Sequence, residues 1–291
     1  MDYMIFADVS IDIDMAFADK YDLKYISMEY ILDDNSFNCS RPENDEMMHQ
    51  YYEKLRLKAS THTSQIVPNN YVEAFEGYIK EGKGILYISL SSGLSNTYES
   101  ALLAAKMLKD DYPECEIEVV DSLGATGGMG ILAESACLNR EKGMSLSDNA
   151  KWLREHANNI NFWFKVEDLM YLCRGGRVSA TTAVVGTALK IKPILTIDST
   201  GKLQTIDKKR GDKQAMLGLI ERFEETYDPD MGNTVYVSCA DCRDVAETLK
   251  SKLLEKHPDL DIKITMLSPI IGAHTGPDML SLIYYGSKRA Y

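Results

Sequence analysis

Several hydroxyl side chains and a glycine lie in a short polar turn between a strand pattern and a helix pattern. The apolar segment 84–90 before the turn is typical of a strand covered on both faces, and a helix is predicted over 97–108. The turn carries Ser91, Ser92, Gly93, Ser95 and Thr97. Ligands bind at the carboxyl ends of strands in open α/β sheets, and free N–H groups there favour an anion. The turn therefore indicates an anion site or, alternatively, only the capping of the helix that follows.

A second hydroxyl-rich run stands upstream of this turn. The run Ser60-Thr-His-Thr-Ser-Gln65 is too polar for a core strand and is closed by Pro68. Helix capping or loop filling is the favoured interpretation of Thr63 and Ser64 from the run itself.

No nucleotide motif is present, because the turn has neither the lysine of a Walker loop nor the glycine triplet of a dinucleotide fingerprint. The one close cysteine pair, Cys239-Ala-Asp-Cys242, follows a predicted strand and begins a helix, where a thiolate is favoured. A zinc site needs a second pair nearby, and the six cysteines contain none. Chance spacing of reduced thiols is the favoured interpretation, and neither a metal nor a cofactor is predicted.

Charge and length limit the classes of function. The 291 residues include 32 Lys and Arg against 44 Asp and Glu, a formal net charge of −12. This balance argues against a surface devoted to nucleic acid or to an anionic membrane. No targeting segment is recognised and no apolar run approaches the length of a membrane span. We therefore expect a cytoplasmic protein without membrane insertion.

The order of predicted elements indicates an α/β fold with two domains. Strands and helices alternate in the first half, which predicts a Rossmann-like, mainly parallel sheet over 1–158. Domain 159–291 is predicted as mixed α/β, because strands 191–197 and 202–206 form a hairpin. A helix rich in Ala, Thr and Val is predicted over 180–190, and a last helix after Asp278.

Basic residues cluster in the second half of this acidic chain. They are Arg174, Arg177, Lys190, Lys192, Lys208, Lys209, Arg210 and Lys213. The cluster is either an ordinary solvated face, a patch that binds a phosphate, or a docking surface for an acidic partner.

An enzymatic interpretation is also open. Ser92 or Ser95 could act as a nucleophile with His274 as its base, in a hydrolase or an acyl transferase. However, no Gly-x-Ser-x-Gly elbow exists and no acid that would orient His274 is identifiable.

Taken together, the motifs resemble the DegV family, and in particular the fatty-acid-binding subunits of bacterial fatty acid kinase. The resemblance spans nearly the whole chain. It is carried by Asp8 and Ser10, Thr63-Ser-Gln65, Leu90-Ser-Ser-Gly-Leu-Ser-Asn-Thr97, Asp121-Ser122, Asp168-Leu169, Gly175-Gly-Arg177, Lys192-Pro193, Arg210 and Gly272-Ala-His-Thr-Gly276. The chain departs from the family pattern at Ala7, at Asn96 and at Pro277-Asp278.

The resemblance implies a two-domain, non-catalytic lipid-binding protein that holds one long-chain fatty acid and presents its carboxylate to a separate kinase subunit, which would form an acyl phosphate. It implies that Thr63 and Ser95 bind the carboxylate, supported by Ser92 and by the backbone N–H of Gly93. By the same resemblance, the head group or the docked kinase would contact Arg177, Arg210 and His274.

Overall fold

A four-stranded parallel sheet forms the first layer of the structure, a computed structural model that describes residues 2–41, 45–179, 191–289 and 291. The strand order is β2-β1-β6-β7. The bounds are β1 Tyr3–Asp8, β2 Lys24–Ile26, β6 Gly84–Ser89 and β7 Ile117–Asp121. Strands β1 and β6 are buried along their whole length, as their continuous apolar runs predict for a sheet covered on both faces.

Helices cover this sheet on both faces. They are α1 Met15–Lys20, α2 Asp45–Arg56, α3 Pro68–Lys80, α4 Thr97–Asp111, α5 Gly127–Glu141 and α6 Leu146–His156. Tyr71 and Phe75 of α3 are fully buried and lie one helical turn apart on the same face of that helix.

A small antiparallel sheet of order β4-β3-β5 stands beside this layer. Its strands are β3 Met28–Leu32, β4 Asn35–Cys39 and β5 Thr61–Thr63. The acidic, asparagine-rich segment after Leu32 forms β4, which pairs with β3. Asp33 and Asp34 adopt positive φ angles of 48° and 64°, which makes them the tight turn of a β-hairpin.

The second half forms a six-stranded mixed sheet of order β10-β9-β8-β13-β11-β12. Only β11 and β12 pair in parallel within it. The strands are β8 Ile160–Lys165, β9 Ile191–Ile197, β10 Leu203–Arg210, β11 Thr234–Cys239, β12 Asp261–Met266 and β13 Leu280–Tyr285. The helices are α7 Met170–Arg174, α8 Asp212–Thr226, α9 Arg243–Lys256 and α10 Pro269–Thr275. This arrangement confirms the predicted fold class.

The last helix predicted after Asp278 was wrong. That segment is β13, a buried strand hydrogen-bonded between β8 and β11. Its aromatic and β-branched side chains suit a central strand, and the helix of this region, α10, lies earlier and carries His274. The helix predicted over 180–190 lies outside the described residues, as does Lys190.

The predicted domain boundary near 158 falls just before the mixed sheet, which begins at Ile160. One continuous apolar core cluster nevertheless contains side chains from both sides of that boundary, among them Ile88, Phe162 and Ile283. The division into 1–158 and 159–291 therefore stays a prediction. In the part of the chain that the structure describes, no helix has the length and apolar character needed to span a membrane.

Candidate functional site

A cavity of about 820 Å³ lies where the turn after β6 meets the face of the mixed sheet. Its volume falls within the range of small-molecule sites. Apolar side chains from several elements line it, namely Met28, Leu90, Ala125, Phe162, Phe164, Leu172, Ile197, Leu203, Ile270, Ile271, Met279 and Ile283. Its polar lining includes Thr63, Ser64, Gln65, Ser92, Ser95, Arg177, Lys202, Gln204 and His274. The cavity thus joins apolar side chains to a group of hydrogen-bonding residues.

Thr63 and His274 meet in this cavity although 211 positions separate them in the chain. Thr63 ends the edge strand β5, and His274 lies in the last turn of α10. The hydroxyl oxygen of Thr63 lies 2.9 Å from Nε2 of His274. The sequence-predicted carboxylate ligand and the predicted head-group histidine are therefore direct neighbours.

His274 is a partly buried imidazole whose pKa is well below its ordinary value. Burial, and to a smaller extent the nearby charge of Arg177, lower the pKa of His274 to about 4. Its Nδ1 atom is buried and has no hydrogen-bond partner within the described ranges. Gly175 permits this arrangement, because a Cβ atom at that position would lie only 2.2 Å from Nδ1.

Ser91 holds the turn in place. Its hydroxyl donates to the carbonyl of Gly201, at 2.8 Å, and accepts the backbone N–H of Gly93 at 3.1 Å. A side chain on Gly93 would collide with the carbonyl of Gly201, 2.5 Å from the Cβ position. The Gly93 N–H, predicted to support a bound carboxylate, therefore already has an internal partner, and Gly93 is required by the close approach of the β9–β10 hairpin.

Ser92 and Ser95 both line the cavity. The hydroxyl of Ser95 lies 2.8 Å from that of Thr97 and accepts the backbone N–H of Thr97 at 3.2 Å. Asn96 occupies the N-cap position of α4, but its side chain makes no capping bond, so Ser95 supplies the oxygen. Because its oxygen accepts this N–H, Ser95 can turn its own proton towards a ligand.

Arg177 is the arginine among the residues that line the cavity. Its Nε donates to the carbonyl of Leu94 at 3.0 Å, and Nη1 donates to the carbonyl of Gly175. Burial lowers the pKa of Arg177, and no acidic side chain pairs with it among the described residues. Arg177 therefore brings positive charge to the turn that carries Ser92 and Ser95.

Arg210 stands apart from this group. It ends β10, is exposed and does not line the cavity. Two members of the predicted basic cluster form ion pairs, Lys192 with Glu167 and Asp212, and Lys209 with Asp207 and Glu221. Arg210 forms no ion pair within the described part of the chain.

Sequence reasoning missed Lys202 and Phe162 as cavity residues. Lys202 follows the turn of the β9–β10 hairpin, and its Cγ lies 2.9 Å from the Cβ position of Gly93. Phe162 comes from β8. The sequence does indicate the turn of the β9–β10 hairpin. However, no local pattern shows that this turn contacts the serine-rich turn after β6.

Among the described residues, the structure does not bring a serine, His274 and an orienting acid together as a serine hydrolase requires. The hydroxyl beside His274 belongs to Thr63, and the charged neighbour that perturbs the imidazole is a guanidinium rather than a carboxylate. A nucleophile–base pair needs the serine within hydrogen-bond reach of the imidazole and an acid that orients it. No hydrogen bond between His274 and Ser92 or Ser95 is found among the described residues.

The cysteine pair lies outside the cavity walls. Cys239 and Cys242 are both buried free thiols, and Sγ of Cys242 donates to the carbonyl of Met279 at 3.3 Å. The hydrogen bond from Cys242 lowers the pKa of Cys239, and the same contact together with burial raises that of Cys242. Through this hydrogen bond, Cys242 links the start of α9 to Met279, the residue before β13.

Comparisons with known proteins agree with this architecture. A family model described as "Uncharacterised protein, DegV family" matches residues 3–287. A DegV domain-containing protein of Clostridium perfringens is 33% identical over 287 residues, covering 99% of this chain and 98% of that protein.

Two solved structures share the fold. A Thermotoga maritima protein, whose structure is described as revealing a fatty acid binding function, is 27% identical with a TM-score of 0.83, covering 99% of this chain and 100% of that one. The fatty acid kinase B3 protein of Streptococcus pneumoniae, solved with linoleic acid, is 21% identical with a TM-score of 0.85 and the same coverage. At that identity the likeness to the pneumococcal protein shows the fold alone.

Proposed function

Because the chain belongs to the DegV family, whose solved members include fatty-acid-binding proteins, we propose that it is a non-catalytic carrier of one long-chain fatty acid. The observation that carries the proposal is the cavity of about 820 Å³, in which apolar side chains adjoin the hydroxyls of Thr63 and Ser95. Each buried methylene of an acyl chain contributes roughly 0.8 kcal/mol, so the tail supplies most of the affinity.

The neutral imidazole of His274 prepares Thr63 to bind a carboxylate. When the ring proton lies on Nε2, His274 donates to the oxygen of Thr63, 2.9 Å away. The hydroxyl proton of Thr63 is then free to point at the ligand. Ser95 and the exposed Ser92 add two further hydroxyl donors, and Arg177 adds charge nearby. A buried carboxylate requires such a set, because its loss of hydration costs several kcal/mol.

Removal of two hydroxyl donors tests the carboxylate site. We expect the double variant Thr63→Val with Ser95→Ala to retain at least about tenfold less fatty acid, because hydrogen bonds to a charged group contribute about 1.5–3 kcal/mol each. The measurement is lipid extraction and mass spectrometry of purified protein, with a melting curve as the folding check.

The matched control is Thr248→Val with Ser251→Ala. Both hydroxyls are exposed on α9 and bond to their own helix backbone, so the chemical change is the same and the site is distant. Unchanged retention in a folded Thr63/Ser95 variant would refute the assignment.

We further propose that the protein presents the bound carboxylate to a separate kinase for phosphorylation. Arg210 supports this step, because it is an exposed cation outside the cavity and has no acidic partner within the described ranges. The fold shared with the pneumococcal fatty acid kinase B3 protein is consistent with it. A cytoplasmic location, where ATP is available to such a kinase, stays a prediction.

Charge reversal at Arg210 separates docking from lipid binding. We expect Arg210→Glu to keep its fatty acid and to lose most acyl phosphate formation when a purified bacterial fatty acid kinase and ATP are added. Lys106→Glu, an equal charge change on the exposed face of α4, is the control. Equal turnover in the two variants would remove Arg210 from the docking surface.

A further inference from the structure

One hydroxyl side chain of the cavity wall has no hydrogen-bond partner of its own. Thr126, the N-cap residue of α5, lines the cavity of about 820 Å³ and is only 4% exposed. Both of its backbone groups are engaged, because its N–H donates to the carbonyl of Ser10 at 3.1 Å and its carbonyl accepts the N–H of Gly130 at 3.2 Å. Its hydroxyl makes no capping bond and no other hydrogen bond with a described residue. The side chain is therefore the part of Thr126 that can bind a group in the cavity.

The hydroxyl oxygen of Thr126 is in contact with open space. Unlike Oγ1 of Thr205, another residue of the cavity wall, it is not completely covered by protein atoms. The backbone of Thr126 has a φ of 54° and a ψ of −132°, a conformation that a β-branched residue rarely adopts, so the surrounding packing must fix it. The hydroxyl thus has a fixed position in the wall and an unused donor and acceptor.

The amino end of α5 adds hydrogen-bond donors next to this hydroxyl. Gly127 and Met129 are buried, and neither backbone N–H has an acceptor among the residues that the structure describes. Because α5 has 15 residues, its dipole places partial positive charge at this end. The described lining of the cavity contains no Asp or Glu. These surroundings favour an oxygen atom of a ligand.

Thr126 lies in an apolar part of the cavity. Phe162, which lines the cavity, packs on either side of it, since Cβ atoms on Gly124 and Gly128 would lie 2.4 Å and 2.2 Å from Cζ of that ring. Ala125 also lines the cavity and belongs to the same apolar cluster as Phe162. An acyl chain suits these surroundings, and the hydroxyl of Thr126 interrupts them.

The groups proposed to bind the carboxylate lie elsewhere. None of the hydrogen bonds made by the hydroxyls of Thr63 and Ser95 reaches Thr126. Arg177 and Lys202, the cations of the described wall, both lie against the serine-rich turn after β6. A buried charge without a partner is costly, so a neutral polar group fits the environment of Thr126 better than a second carboxylate does.

We propose that the cavity takes a long-chain acid that carries a hydroxyl group on its acyl chain, and that this hydroxyl binds Thr126 at the amino end of α5. The inference rests on the proposed function, because it specifies the chain of the same ligand. A hydroxyl is both donor and acceptor, so it donates to the oxygen of Thr126 while the positive end of α5 faces its own oxygen. An unsubstituted chain leaves these protein groups unpaired, which native structures rarely do without ordered water.

The test compares octadecanoic acid with a panel of monohydroxyoctadecanoic acids that differ only in the position of the hydroxyl. Affinities for the delipidated full-length protein are measured by displacement of a fluorescent fatty acid. We expect at least one hydroxy acid to bind as tightly as octadecanoic acid or more tightly, because its hydroxyl regains on Thr126 the hydrogen bonds that it loses with water. Weaker binding of every hydroxy acid would overturn the proposal and leave water as the partner of Thr126. Failure of octadecanoic acid itself to bind would remove the proposed function and this inference with it.

Variants locate the hydroxyl. Thr126→Val keeps a β-branched side chain of nearly the same shape, and we expect it to lower the affinity for the preferred hydroxy acid, relative to octadecanoic acid, at least about fivefold. Thr126→Ser, which keeps the hydroxyl, should restore the wild-type ratio. The matched control is Thr196→Val, because Thr196 is equally buried, on β9, and does not line the cavity. It should leave the ratio unchanged.

Thr126→Gly suits the positive φ and decides the question if Thr126→Val does not fold. A wild-type ratio in the folded variant that decides would refute the proposal. An equal loss of affinity for both acids gives that same ratio, and it would place the carboxylate rather than the chain hydroxyl at Thr126.

Discussion

His274 shows how a single, partly buried side chain sets the chemistry of the polar end of the cavity. Its imidazole is held neutral by burial and by Arg177, and its Nε2 contacts Thr63. The folded-state pKa of about 4 lies below the ordinary value near 6.5. The unfolded state therefore binds more protons between these two values, and the stabilising effect is present above pH 6.5 and is lost as the pH falls towards 4.

We predict that this difference is measurable with His274→Asn, which keeps a donor for Thr63 and does not titrate. The free energy of unfolding of the wild type relative to that of the variant should fall by about 2 kcal/mol between pH 7.5 and pH 5. Urea unfolding at several pH values measures it, and all other titrating groups cancel in the comparison. A difference that is independent of pH would contradict the neutral, buried imidazole.

At the scale of elements, the start of α5 packs against Phe162, one of the residues that line the cavity. A Cβ atom on Gly128 would lie 2.2 Å from Cζ of Phe162, whose ring lines the cavity. The guanidinium of Arg289 covers that ring at 4.7 Å, so the ring has little room to move elsewhere. Glycine is unfavourable inside a helix, and here the close approach of Phe162 requires it.

We predict that Gly128→Ala displaces the Phe162 ring into the cavity and shifts the bound fatty acids towards shorter chains. Its neighbour provides the control, since a Cβ atom on Gly127 would lie 2.4 Å from Cβ of Tyr236, which does not line the cavity. Both variants crowd α5, and only Gly128→Ala should change the chain lengths bound from an equimolar mixture of saturated C14 to C18 acids. Identical distributions in both variants would disprove the role of Phe162.

At the scale of the whole molecule, long-range contacts bind the two sheets together around the cavity. The guanidinium of Arg289, near the end of the chain, donates to carbonyls of Leu123, Ala157, Ile160 and Asp198. Burial lowers its pKa to about 9. Asp198 belongs to the turn of the β9–β10 hairpin, and the carbonyl of Gly201 in the same turn accepts a hydrogen bond from the hydroxyl of Ser91. The C-terminal segment and the serine turn are therefore held by one shared hairpin, which explains why apolar clusters cross the predicted boundary near 158.

The sequence by itself determined the parallel sheet, the serine turn after β6 and the family, because these depend on local apolar periodicity, turn residues and motif spacing. It did not determine that 280–285 is a central strand, since a short apolar run suits a helix as well as a strand until its neighbours are known. Only the tertiary structure brought Thr63 to His274 and Gly201 to Gly93. Such contacts join residues more than a hundred positions apart, and they arise from the packing of whole elements, which no local pattern encodes.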